Sequence, residues 1–189
     1  ITNNNIFINN NILDNEGILN NSHSNGIFTN NLTLNNKSTG TLNNFGTLTI
    51  QSPGTITNSG TFNNTKTSAQ INATLTIIGN FINQANATLL NTADIKNETN
   101  GTITNPGTID NRLLLVNNST LNTTGNILNK STGIFINKSI LNNSSGTLDN
   151  DGTLTNSTGA TLNNHAAFTN DNILKVYGLM KIFKTGSIV

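Results

Sequence analysis

The chain has 189 residues; about one residue in five is Asn, 9% are charged, 5% are aromatic, and the formal net charge is +1. Disordered chains usually combine low hydrophobicity with a high net charge, and nucleic-acid-binding domains carry a basic surface, so this composition disfavours both. The lack of Cys excludes disulfides and thiolate metal sites, and no apolar run approaches the roughly 18 residues that would predict a membrane span.

A sequence motif of Gly, Thr, one large apolar residue and Asn recurs along the chain, as in GTITN at 54–58. Successive apolar residues are mostly six or eight positions apart, in alternation. In the run of units from residue 28 to residue 109 these residues are Phe28, Leu34, Leu42, Leu48, Ile56, Phe62, Leu75, Phe81, Leu89, Ile95, Ile103 and Ile109. Similar units begin at Gly125, Lys138 and Asp151. Random Asn-rich sequence would not keep this register, so the pattern favours a repeat fold over a prion-like segment.

Each unit predicts a short β-strand followed by a turn. Gly, Thr, Asn and Ser are poor helix formers, and in Thr55-Ile56-Thr57 the apolar residue alternates with two Thr, as a strand requires. The Asn and Gly that follow tolerate the left-handed backbone of turns. Such short units have no core of their own, but stacking pairs each strand with its equivalent one coil away. The sequence therefore predicts an all-β fold, a parallel β-solenoid.

Two coil sizes are compatible with the repeat. The alternation of six and eight favours a two-strand coil of about 14 residues, because six-residue segments would then stack on six-residue segments and eight-residue segments on eight-residue segments. The alternative is a three-sided coil of about 18 to 22 residues, which accommodates irregular spacing more easily. We assign residues 1–174 to the repetitive solenoid. Residues 175–189 are poor in Asn and predict either a terminal coil or a capping or docking segment.

An Asn stands two positions after the apolar residue in most units. Strand alternation places it on the same side as the apolar residue, at the turn. Stacked Asn side chains can hydrogen-bond from coil to coil and satisfy turn carbonyls. The candidates for such a ladder are Asn44, Asn58, Asn64, Asn105, Asn111, Asn156 and Asn164.

Many Asn residues also belong to Asn-x-Ser/Thr triplets, the acceptor pattern of N-glycosylation. A chain rich in Asn, Ser and Thr forms such triplets by chance, and they matter only in a glycosylating secretory pathway. An Asn cannot both belong to a buried ladder and carry a glycan. The candidate acceptors are Asn36, Asn72, Asn86, Asn97, Asn118, Asn129, Asn137, Asn143 and Asn156.

Pairs of Thr flank the apolar residue in several units and are expected to face outward. Stacked Thr-x-Thr strands resemble the ice-binding face of insect-type antifreeze proteins, which implies ice binding as an alternative function. Exposed Thr is also simply a good strand residue. The residues are Thr47, Thr49, Thr55, Thr57, Thr102, Thr104, Thr153 and Thr155.

Catalytic residues, cofactors and metal sites are not predicted. Carbohydrate-cleaving solenoids need paired carboxylates at a defined separation, and Asp149 and Asp151 are the one close pair in the sequence. The segment 149–152, DNDG, is similar to the start of a calcium loop but lacks the distal Glu. His23 and His165 are predicted as surface or turn residues. We expect no enzyme activity; a polysaccharide-active enzyme is the less favoured alternative.

The repeated motif resembles the passenger regions of bacterial autotransporter and filamentous-haemagglutinin-type adhesins, and the Asn/Thr-rich adhesin-like surface proteins of archaea. The segments that carry this resemblance are 46–48, 54–58, 101–105 and 152–156. The resemblance implies a secreted or cell-surface stalk, adhesin or filament subunit, with surface glycans as candidate partners. Open strand edges at the ends of a solenoid predict self-association, either head-to-tail or lateral.

Overall fold

The computed structural model describes residues 1–22, 25–66, 73–183 and 186–188. Within these ranges the chain forms 28 strands, most of them four residues long, and no helix. In chain order the strands are β1 (Thr2–Asn3), β2 (Ile6–Asn9), β3 (Ile12–Asn15), β4 (Ile18–Asn21), β5 (Ile27–Asn30), β6 (Thr33–Asn36), β7 (Thr41–Asn44), β8 (Thr47–Ile50), β9 (Thr55–Asn58), β10 (Thr61–Thr65), β11 (Thr74–Ile77), β12 (Asn80–Asn83), β13 (Thr88–Thr92), β14 (Asp94–Asn97), β15 (Thr102–Asn105), β16 (Thr108–Asn111), β17 (Leu114–Asn117), β18 (Thr120–Thr123), β19 (Asn126–Asn129), β20 (Ile134–Asn137), β21 (Ile140–Asn143), β22 (Thr147–Asn150), β23 (Thr153–Asn156), β24 (Thr161–Asn164), β25 (Ala167–Asn170), β26 (Ile173–Val176), β27 (Leu179–Ile182) and β28 (Ser187–Ile188).

The strands form three parallel sheets, and every third strand along the chain belongs to the same sheet. The first sheet runs from β1 through β4 and β7 to β28, the second from β2 to β26, and the third from β3 to β27. Three consecutive strands therefore make one coil of about 20 residues, and about nine coils stack. The predicted all-β parallel solenoid is confirmed.

The coil is the three-sided alternative, and the favoured two-strand coil is wrong. Leu115 pairs with Phe135, and Ile103 pairs with Leu121, each partner being the equivalent residue of the next coil. In both pairs the intervening chain passes through the other two sheets before it returns.

Corners of different lengths, most of them two or four residues, explain why the spacing of the apolar residues did not reveal the coil length. The long corners contain a turn in which one backbone N–H donates to a carbonyl three residues earlier, as from Gly133 to Lys130 (2.6 Å) and from Gly101 to Glu98 (2.8 Å). Long corners occur between every pair of sheets, for example at 37–40, 98–101 and 130–133. Two extra residues at any corner leave the inward or outward parity of the next strand unchanged. The alternation of six and eight therefore does not mark the length of a coil.

The core is a stack of apolar side chains, nearly all from the second position of the strands, with Ile50 and Ile77 added from the fourth position. In most strands the second and fourth residues are buried, while the first and third face outward. The buried apolar cluster comprises Leu19, Phe28, Leu34, Leu42, Leu48, Ile50, Ile56, Phe62, Leu75, Ile77, Phe81, Leu89, Ile95, Ile103, Ile109, Leu115, Leu121, Ile127, Phe135, Leu141, Leu148, Leu154, Leu162 and Phe168. Each such side chain stabilises the fold by about 1.5–3 kcal/mol relative to an exposed one. Phe7 and Leu13 at one end and Leu174 and Met180 at the other are partly buried and pack against this cluster, so the core extends along the stack.

The last described residues continue the three sheets. Strand β26 pairs with β23, β27 with β24, and β28 with β25, all in parallel register. Leu174 and Met180 take the apolar second positions, whereas Val176 and Ile182 stand where earlier coils have Asn. A docking role for residues 175–189 stays a prediction.

Candidate functional site

Asn residues at the fourth position of the strands form a buried column inside each sheet; we call these the first, second and third Asn columns, after their sheets. The first column is continuous, and each side chain donates from Nδ2 to the Oδ1 of the next at 2.6–2.8 Å. Its members are Asn3, Asn21, Asn44, Asn64, Asn91, Asn111, Asn129, Asn150 and Asn170. This column joins successive coils of the first sheet from β1 to β25.

Asn111 shows how one member of a column is bonded. Its Oδ1 accepts from Nδ2 of Asn91 at 2.8 Å, and its own Nδ2 donates to Oδ1 of Asn129 at 2.7 Å and to the carbonyl oxygen of Ile134 at 3.2 Å. Ile134 is the first residue of β20, which follows Asn129 across the corner at 130–133. Asn111 therefore binds the next coil twice, once through a side chain and once through the backbone.

The seven residues that the sequence proposed for a ladder all lie in these columns and are fully buried. Asn44, Asn64 and Asn111 belong to the first column. Asn156 lies in the second column. The remaining three, Asn58, Asn105 and Asn164, lie in the third column.

The second and third columns are interrupted. In the second column Asn9 donates to Asn30, but the next two positions are Ile50 and Ile77, after which the column resumes at Asn97. In the third column the position between Asn105 and Asn143 is Thr123. Its Oγ1 accepts from Nδ2 of Asn105 at 3.1 Å, but a hydroxyl offers one hydrogen where an amide offers two.

An unsatisfied buried oxygen follows each of these interruptions. Oδ1 of Asn97 lies one coil after Ile77, and Oδ1 of Asn143 lies one coil after Thr123. Neither oxygen accepts a hydrogen bond from any described residue. Both lack the amide donor that a preceding Asn would supply, so the interruptions leave an energetic cost of the size of an unmade hydrogen bond, about 1–3 kcal/mol.

A second kind of Asn ladder, which the sequence reasoning missed, lies on the outer surface. Asn63 donates to Asn43, and Asn43 donates to Asn20, each at 2.8 Å. The set Asn122, Asn142 and Asn163 is bonded in the same way. These outer amides donate toward the N-terminus, whereas the columns donate toward the C-terminus. The signal was the Asn-Asn doublet at the end of several strands, whose two members necessarily face opposite sides.

The structure separates the proposed glycan acceptors into buried and accessible ones. Asn86 is exposed in a long corner with a φ of 68°, and Asn118 is half-buried and donates to Oε2 of Glu98 at 3.1 Å. Asn72 lies outside the described residues. The other six, Asn36, Asn97, Asn129, Asn137, Asn143 and Asn156, are column residues with no exposed surface.

The proposed Thr face is divided between two sheets. Strands β8 and β23, with Thr47, Thr49, Thr153 and Thr155, belong to the second sheet, and β9 and β15, with Thr55, Thr57, Thr102 and Thr104, to the third. Within the second sheet only β8 and β11 bring two Thr-x-Thr strands side by side, because the next strand, β14, presents Asp94 and Lys96. The third-sheet pairs are separated by β12, which presents Asn80 and Ile82. Ice binding stays a prediction, to be tested by thermal hysteresis.

Three carboxylates meet near the C-terminal end of the first sheet. One carboxylate oxygen from each of Asp149, Asp151 and Asp171 lies within 4.8 Å of the others. Nζ of Lys130 lies 3.4 Å from Asp151 and 3.9 Å from Asp149. Burial and the neighbouring Asp151 carboxylate raise the pKa of Asp149, against the opposing effect of Lys130. The cluster is a partly neutralised surface group at a corner.

Of the two His residues, His165 lies at the corner between β24 and β25 and is half-buried. The ring of His165 stacks on that of Phe183, with centroids 3.7 Å apart and an interplanar angle of 9°, and His23 lies outside the described residues. No cavity opens among the residues that the structure describes. The same residues include no helix with the length and apolar character to cross a membrane.

Comparisons with protein-family models, with curated protein sequences and with solved structures gave no match to this chain.

Proposed function

We propose that the chain is a structural rod that works outside the cell, as a stalk or as the shaft of an adhesin. The observation that carries this proposal is the axial bonding: every coil is joined to the next by parallel sheets, and a continuous Asn column follows the first sheet. Ten stacked strands of that sheet, about 4.8 Å apart, give a rod about 43 Å long.

Two further features support an extracellular, non-enzymatic role. Outward positions of the strands are mostly Thr and Asn and carry few charges, although a minority are exposed apolar residues such as Ile6, Ile12 and Ile134. The repeated sequence motif also resembles the passenger regions of surface adhesins. A rod of this kind positions whatever is joined to it at a fixed distance, and its length is set by the number of coils.

Location is tested on intact cells that produce the protein. An antibody against the solenoid and an externally added protease should both reach it, while a cytoplasmic control protein stays protected. Recovery of the protein only from the cytoplasmic fraction would overturn the extracellular part of the proposal.

Removal of one coil tests the role as a spacer. Leu114 pairs with Ile134, so residues 114–133 make one complete coil and their deletion joins Leu113 to Ile134 in register. The shortened chain should fold, and small-angle scattering should show a rod shorter by about 4.8 Å. A spacer keeps its function after this change. Loss of function in a folded deletion variant would instead indicate a specific binding surface on the deleted coil.

Assembly into a filament is a variant of the same proposal, because the terminal strands leave edges that a second copy can extend. Sedimentation velocity over a range of concentrations, with negative-stain images, tests this variant. A monomer at all concentrations would eliminate the filament and leave the single stalk.

A further inference from the structure

The buried column Asn residues include many that belong to N-glycosylation triplets. Besides the six described above, Asn117 belongs to the triplet Asn117-Asn118-Ser119 and is also fully buried. Seven acceptor triplets therefore have their Asn inside the solenoid, although such triplets in glycoproteins are ordinarily a feature of surface loops.

The attachment atom itself is the atom that bonds the coils. A glycan is linked to the side-chain nitrogen of Asn and replaces one of its two hydrogens. In Asn97 those hydrogens are donated to Oδ1 of Asn117 at 2.8 Å and to the carbonyl oxygen of Thr120 at 2.9 Å. In Asn143 they are donated to Oδ1 of Asn164 at 2.7 Å and to the carbonyl oxygen of Ala167 at 3.1 Å.

A glycan on a column Asn would therefore remove a donor and require space for a sugar at a position with no exposed surface. Close-packed interiors do not accommodate a group of that size, and the lost bond leaves a buried acceptor unpaired. Once the coils have stacked, the same packing keeps a transferase away from these side chains.

We infer that N-glycosylation at the column Asn residues and folding of this chain are mutually exclusive, and that a folded chain accepts glycans only at exposed corners. The best placed acceptors are Asn86 in Asn86-Ala87-Thr88 and Asn100 in Asn100-Gly101-Thr102. Both are exposed, and both have a positive φ, 68° and 73°, at a long corner. This exclusion follows from the columns and does not depend on the proposed function.

The consequence concerns the order of events during export. A transferase that acts on an unfolded chain meets all these triplets in an accessible state, and each column Asn that it modifies prevents two coils from stacking. The chain must therefore fold before it meets such an enzyme, or travel by a route that has none.

The test directs the full chain into the secretory pathway of a host that N-glycosylates unfolded proteins. The matched variant replaces the Ser or Thr of the seven buried triplets by Ala and keeps every Asn. These substitutions are Ser38→Ala, Thr99→Ala, Ser119→Ala, Ser131→Ala, Ser139→Ala, Ser145→Ala and Thr158→Ala, all at exposed or half-buried corner positions. A control variant carries Thr88→Ala and Thr102→Ala, which remove the acceptors at Asn86 and Asn100.

The protease-resistant, folded fraction is then mapped for glycans by mass spectrometry. We expect no glycan at a column Asn in that fraction, glycans at column positions only in protease-sensitive chains, and a several-fold higher folded yield from the seven-Ala variant. The control variant should not raise the yield. An inhibitor of glycan transfer, applied to the parent chain, should raise the folded yield without any substitution. A glycan found on a column Asn of folded protein would overturn the inference.

Discussion

Thr123 lies directly before Asn143 in the third Asn column, and Oδ1 of Asn143 is buried without a donor among the described residues. Everywhere in the first column the preceding residue is Asn, and its Nδ2 supplies that donor. The Thr123 hydroxyl instead donates to backbone carbonyls: those of Asn105, at 3.0 Å, and Gly125, at 2.9 Å, lie within its reach. A single residue type thus decides whether the next coil is bonded through its side chain.

The first prediction is that Thr123→Asn stabilises the protein. The new Nδ2 can donate to Oδ1 of Asn143 and complete the third column between Asn105 and Asn164. We expect the free energy of unfolding to rise by about 0.5–1.5 kcal/mol, measured by denaturant titration. The control Thr123→Val keeps the shape but removes the hydroxyl, and should lower it. A lower value for Thr123→Asn would contradict the role assigned to the missing donor.

The second prediction concerns the two Ile residues that interrupt the second column. Ile77→Asn alone supplies a donor to Asn97, but its own Oδ1 then faces Ile50 and is unsatisfied. Only the double variant, Ile50→Asn with Ile77→Asn, connects Asn30 to Asn97 through an unbroken series of amides. Each single variant should be destabilised by the lost apolar burial, and the double should be more stable than the sum by about 0.5–3 kcal/mol. Additive effects in this double-mutant cycle would contradict the ladder.

The third prediction compares two adjacent Asn residues with opposite orientations. Asn64 is buried, accepts from Asn44 and donates to Asn91, whereas Asn63 faces outward and donates to Asn43. Asn64→Ala leaves a buried donor and a buried acceptor unpaired and should cost about 2–4 kcal/mol. Asn63→Ala should cost less than about 1 kcal/mol, because water replaces the lost partner. Equal losses in denaturant titrations would count against the distinction between columns and outer ladders.

The fourth prediction tests the apolar core by comparing a buried residue with its outward-facing neighbour in the same strand. Ile103 is fully buried, and its neighbour Thr104 faces outward. Ile103→Asp buries an unpaired charge and should cost several kcal/mol or prevent folding. Thr104→Asp should change the free energy of unfolding by less than about 0.5 kcal/mol. Circular dichroism of both variants provides the measurement, and a tolerated Ile103→Asp would show that this position is not in a core.

The fifth prediction concerns the pH dependence of stability. The pKa of Asp149 is raised in the folded protein by burial and by Asp151, so its contribution is fully present below the ordinary Asp pKa and is lost as pH rises through the raised value. Asp149→Asn should therefore stabilise the protein near neutral pH, by up to about 1 kcal/mol, and remove this loss. Denaturant titrations at several pH values measure the effect.

Asp14 supplies the opposite control. A hydrogen bond from Asn35 and the nearby Lys37 lower its pKa, so its contribution is present above the ordinary Asp pKa and is lost as pH falls. Asp14→Asn should lower the free energy of unfolding near neutral pH and have no such effect in acid. Changes of the same sign in the two variants would contradict these assignments.

Much of the fold follows from local pattern. The alternation in Thr102-Ile103-Thr104-Asn105 places Ile and Asn on one side and both Thr on the other, because successive side chains of a strand point in opposite directions. That rule requires no knowledge of neighbouring coils. Together with the regular recurrence of the units, it was sufficient to predict the strands, the apolar column, the Asn ladder and the solenoid class.

The sequence by itself thus determined which side of each strand is buried, whereas only the tertiary structure decided which strand lies above which. The units are chemically interchangeable, and two extra residues fit at any of the three corners, so no local feature distinguishes a coil of two strands from a coil of three. Contacts between successive coils, such as that of Leu48 with Leu75, set the number of sheets. They also divide the Thr pairs between two sheets and place Thr123 directly before Asn143 in one column.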